Sequence, residues 1–68
     1  MRQRVISLEC GLRQLAQARD ALDALPGVIA AELVPGRRAI RVFQGDEPGE
    51  GVLLQALGTC GLHNAQID

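Results

Sequence analysis

The spacing of hydrophobic positions changes several times along the chain, and each change marks a boundary. From Val5 to Cys10, Ile6, Leu8 and Cys10 alternate with Val5, Ser7 and Glu9, the two-residue period of a strand with one buried face. After Gly11 the spacing lengthens. Leu12, Leu15, Ala18, Leu22 and Leu25 recur every three or four residues, which predicts one apolar stripe along a helix. Arg13, Gln17, Asp20 and Asp23 fall on its wet side. Pro26 and Gly27 stop it, since proline restricts the residue before it and glycine adopts the left-handed conformations that close helices.

The apolar run from Val28 to Val34 predicts a second strand, and Pro35 with Gly36 suits the two central positions of a type II turn. The return strand is Ala39 to Phe43, with Ile40 and Val42 on one face and Arg41 on the other. Gln44 to Gly51 holds three glycines, one proline and three acidic residues, the composition of a solvated loop. Leu53, Leu54 and Leu57 then form a short helical stripe that ends in the region from Gly58 to Gly61, and Leu62 to Ile67 supplies a last strand. The order strand, helix, strand, strand, helix, strand fills residues 1–68 as a single domain. This is the split βαβ plan: an α+β, ferredoxin-like sandwich with a four-stranded antiparallel sheet (order 4-1-3-2) and two helices on one face.

Composition narrows the possible partners. The apolar fraction is 47%, built of Leu, Ala, Val and Ile, and Phe43 is the sole aromatic residue. Seven arginines, no lysine and eight acidic residues leave a formal charge of −1, too weak a field to gather nucleic acid or anionic lipid. The longest uninterrupted apolar stretch, Val28 to Ala31, falls far short of the roughly 20 residues of a spanning helix. Met1 to Gly11 lacks the apolar core of a signal peptide. The expectation is a cytoplasmic protein with no membrane insertion and no nucleic-acid partner.

The segment Leu22, Asp23, Ala24, Leu25, Pro26, Gly27, Val28, followed by Gly61 and Leu62 near the end, resembles the heavy-metal-associated domain family. In that family the first helix closes with L-x-x-L-P-G-V and the last strand begins just after a similar glycine. The resemblance runs through nearly the whole chain in element order. It implies a relative of the metallochaperones, or of the metal-binding domains of transport ATPases, with a metal-transporting ATPase or another protein as partner. The family binds soft metal at G-M-x-C-x-x-C, between the first strand and the first helix. Counted back from Gly27, those two cysteines fall at Gly11 and Gln14, neither of which supplies a thiolate. Cys10 stands one position early, at the end of the first strand.

The topology offers another ligand set. In a sheet of order 4-1-3-2 the end of the first strand and the start of the last lie side by side. Cys10 is at the first place, Cys60 is just before the second, and His63 is on the last strand. Two thiolates and an imidazole suit copper(I) or zinc, so Cys10, Cys60 and His63 are the candidate metal ligands. Against this stands a plainer reading: Cys10 as a small hydrophobe on the face of Ile6 and Leu8, Cys60 inert at a helix end, and His63 on the surface. A Cys10–Cys60 disulfide is open if the Cα atoms come within about 7 Å.

Other chemistries find little support. Phe43 alone makes no base-stacking platform of the RNA-recognition kind. Arg37, Arg38 and Arg41 read as a solvated turn or as a contact for an acidic partner. Gly11-Leu12-Arg13 only echoes an acylphosphatase loop or an ACT-type ligand loop, and no Ser/His/Asp set can be assembled. The chain is therefore expected not to be an enzyme. Two functions stay open: metal binding or transport through a non-standard site, or a non-metal interaction or dimerisation module. In the second case the strand from Val28, with no charge before Glu32, is the edge for pairing, giving a monomer or weak homodimer.

Overall fold

Strand pairing decides which side chains meet. In the computed structural model, which describes residues 1–68, β1 (Arg2–Ser7) pairs antiparallel with β3 (Ala39–Gln44), from Arg2 opposite Gln44 to Ser7 opposite Ala39. Ile6 faces Ile40 across this pair, and alternation puts Val42 on the same side. All three are fully buried. β2 (Val28–Leu33) pairs with the other side of β3, and β4 (Gln66–Ile67) with the other side of β1. The order β2-β3-β1-β4 is the predicted one read from the opposite edge.

Helices α1 (Leu12–Asp23) and α2 (Glu50–Thr59) bury Leu15, Ala18 and Leu22, and Leu53 and Leu57, in one core with those strand residues. Leu12 begins the predicted stripe but is 72% exposed, because it occupies the first turn beyond the end of the sheet. Both Pro-Gly pairs form turns of one kind. The N–H of Val28 donates to the Leu25 carbonyl and that of Arg37 to the Val34 carbonyl, at 3.1 and 3.2 Å. Gly27 and Gly36 stand at φ 91° and 74°, the third position of a type II turn.

Strand ends depart from the sequence pattern. β1 was expected from Val5 to Cys10 but runs from Arg2 to Ser7. Its partner β3 has no residues left to offer beyond Ala39, and the last link is the Leu8 N–H donated to the Arg38 carbonyl at 2.9 Å. β4 was expected from Leu62 but keeps only Gln66 and Ile67. Leu62 is already committed: its N–H donates to the Leu57 carbonyl at 3.0 Å, while Gly61, at φ 81°, donates to Gly58 at 2.9 Å. That pair of bonds is a Schellman closure of α2, with Leu62 buried against the core. Gln44 is drawn out of the expected loop into β3, and α2 starts at Glu50.

Candidate functional site

The antiparallel register of Ile6 with Ile67 and Ser7 with Gln66 brings the chain leaving β1 alongside the chain entering β4. Between them lies a cleft of about 50 Å³, with Leu8 and Glu9 on one side and residues 61–65 on the other. Cys10 follows Glu9 and Cys60 precedes Gly61, so each cysteine is one residue along the chain from this lining. His63 is within it.

Cys10 belongs to the segment between β1 and α1. It is half-buried and packs on the rim of the core. Leu8 keeps the inward place that strand alternation gave it, 4% exposed, whereas Cys10 lies beyond the end of β1 and is only partly covered. The backbone around Cys10 is held from two directions. Arg38 donates from Nη1 to the Cys10 carbonyl at 2.6 Å, and the Gly11 N–H donates to Oε1 of Gln14 at 3.2 Å. Cys60 caps the C-terminus of α2, with its N–H donated to the Leu57 carbonyl at 3.0 Å, and is also half-buried against the core. Both are free thiols.

His63 was expected on the last strand and instead lies in the connection before β4. It is exposed, and its ring lies over the last turn of α2: a β-carbon on Gly58 would stand 3.7 Å from both Nδ1 and Cε1. No group of three or more His, Cys, Asp or Glu side chains converges closely enough to hold an ion. Cys10, Cys60 and His63 therefore form no closed three-ligand set: His63 lines the cleft, and each cysteine only adjoins a lining residue in the chain. Sequence reasoning missed Arg38, whose carbonyl and guanidinium both bind the Leu8–Cys10 segment. Its position in a polar turn gave no sign of that role.

No protein-family model matches the chain, and no curated protein is similar to it in sequence. Solved structures resemble it in fold. One, from work on crosstalk between Cu(I) and Zn(II) homeostasis, superposes with a TM-score of 0.84 at 18% identity over 100% of both chains. The yeast copper transporter domain Ccc2a, solved in apo and Cu(I)-loaded states, gives 0.82 at 16% identity, covering 100% of this chain and 96% of that one. The Atx1–Cu(I)–Ccc2a complex gives 0.75 at 17%, covering 98% and 94%. These likenesses establish the ferredoxin-like fold that the resemblance implied. In addition, no helix is long and apolar enough to cross a membrane.

Proposed function

We propose that residues 1–68 form a heavy-metal-associated-like domain that binds a soft metal ion, copper(I) or zinc, through Cys10, Cys60 and His63. It hands the ion to a protein partner such as a metal-transporting ATPase. The observation that carries this reading is the cleft lined by His63, with the free cysteines Cys10 and Cys60 each the next residue in the chain beyond its lining. Thiolates with imidazole are a donor set for soft and borderline ions. The fold is shared with proteins described as copper transporter domains. Capture requires the three donors to draw together, and all three lie outside the strands. A carrier of this kind performs no chemistry on the ion, so the protein is not an enzyme, and reduced thiols fit a cytoplasmic setting.

Titration of the reduced protein with copper(I) or zinc against a chromophoric chelator tests this. One equivalent is expected to bind, with Cys10→Ser and Cys60→Ser each weakening it by at least about tenfold, the loss seen when even a group supporting a metal ligand is removed. Stoichiometric binding indifferent to both substitutions, or none at all, would remove the reading.

One observation favours a second function. β2 is an unpaired sheet edge on which Ile29 and Leu33 are 65% and 44% exposed, the kind of edge that pairs with another strand. In that case the domain is an interaction or dimerisation module, and sedimentation of metal-free protein would show concentration-dependent association.

A further inference from the structure

The arginines divide into two groups. Arg2, Arg4, Arg19 and Arg41 each hold a carboxylate, on Asp46, Glu50, Asp20 and Glu32, at 2.7 to 3.5 Å. Arg13, Arg37 and Arg38 hold none. Arg37 and Arg38 form the turn between β2 and β3, and Arg13 lies in the first turn of α1. A depression of about 250 Å³ between these elements is lined by Leu12, Gly36, Arg37 and Arg38. α1 has no acidic residue in its first turn, and its N-cap, Gly11, carries no side chain. The nearby Glu9 lines the cleft beside His63 instead. In a molecule of net charge −1, two of the three uncompensated arginines thus line one depression, and the third, Arg13, follows its lining residue Leu12 in the chain.

The geometry points to this surface as a docking site for an acidic segment of a partner protein that carries an apolar side chain among its carboxylates. Arg37 and Arg38 supply planar, bidentate donors suited to carboxylate. The hydrogen bond to Cys10 fixes the Arg38 head beforehand, which lowers the ordering cost of binding. Leu12, 72% exposed beside them, supplies the apolar contact. A polyanion is a poorer match. Three arginines without a neighbouring aromatic make no single-strand groove, and they fall short of the cluster of about four to eight basic residues that recruits an anionic lipid surface.

The test needs no metal, so its outcome is independent of the ligand set proposed above. The full ¹⁵N-labelled chain is titrated with a capped Glu-Leu-Glu-Glu-Leu-Glu peptide, with the lysine-for-glutamate peptide as control. Amide shifts are expected at Leu12, Arg13 and residues 36–39, weakening several-fold on raising salt to about 0.3 M. Arg13→Glu combined with Arg37→Glu, at two positions that make no side-chain bond in the fold, is expected to weaken binding by about tenfold. No saturable binding, shifts elsewhere, equal binding of the lysine peptide, or indifference to the double substitution would overturn the proposal. So would tighter binding at this patch by a single-stranded oligonucleotide, by anionic vesicles or by a second copy of the chain.

Discussion

Gly27 approaches the loop before α2 so closely that a β-carbon on it would stand 2.6 Å from the carbonyl oxygen of Glu47. The contact joins the end of α1 to the approach to α2. Gly36 and Gly61 share its positive φ, at 74° and 81°, but a β-carbon at either would find nothing within 4 Å. Backbone strain alone costs about 1–2 kcal/mol at such a position. Alanine at 36 or 61 is therefore expected to lose about that much in urea unfolding, and Gly27→Ala visibly more, about 2–4 kcal/mol, since backbone must also move. Equal losses at all three positions would show that the approach to Glu47 contributes nothing.

Gln44 is the one polar side chain fully enclosed in the core region. Its Nε2 donates to the Pro48 carbonyl at 2.6 Å, tying the loop to the sheet, while Oε1 is buried without a partner from the chain. Gln44→Leu is expected to cost about 1–3 kcal/mol, because it leaves the Pro48 carbonyl unpaired. Gln44→Glu tests the environment through pH. Burial raises the carboxyl's folded pKa above its unfolded value of about 4.3. Between those values the folded state holds more protons than the unfolded, so stability falls as pH rises from about 4 towards neutral. Denaturation curves across that range, compared with the parent protein, should show this extra downward slope. A flat difference would place the side chain in contact with water.

These residues show where the fold was legible from sequence and where it was not. The helical stripe of Leu15, Ala18 and Leu22 and the turn at Pro35-Gly36 are local, so periodicity and turn chemistry located them directly. The ends of β1 and β4 were not legible, because they depend on how much partner strand is within reach and on Leu62 closing α2. Gln44 stands before a glycine-rich acidic loop and reads as solvated; only the return of residues 45–48 over it makes it buried. The meeting of the Cys10 and Cys60 segments followed from strand order. How closely their side chains approach is set by two connections whose conformation no period encodes.

Arg38 and Cys10 provide a test of how tightly that corner is held. The Arg38 carbonyl accepts from Leu8 and its guanidinium donates to Cys10, so the segment is gripped at both ends. In a Cys60→Ser background, Arg38→Ala keeps the carbonyl and removes only the side-chain bond. Iodoacetamide is expected to alkylate Cys10 several-fold faster in this variant, with a stability loss of about 0.5–1.5 kcal/mol, that of one hydrogen bond. An unchanged rate would mean that the backbone bonds suffice to position the thiol.

Gly58 offers the opposite kind of variant, one that should strengthen the fold. It lies within α2, where glycine is the costliest residue other than proline, and a β-carbon there would meet the His63 ring at 3.7 Å, an ordinary packing distance. The left-handed position of the helix end belongs to Gly61, not to Gly58, so nothing in the local backbone opposes a side chain. Gly58→Ala is therefore expected to raise stability by about 0.4–1 kcal/mol, chiefly by restricting the unfolded chain. The added methyl also gives the imidazole a firmer surface to rest on. If His63 must swing away from α2 to join Cys10 and Cys60 around an ion, the same variant should bind metal slightly more weakly while unfolding at higher urea. A gain in both would mean that the ring already lies where the ion requires it.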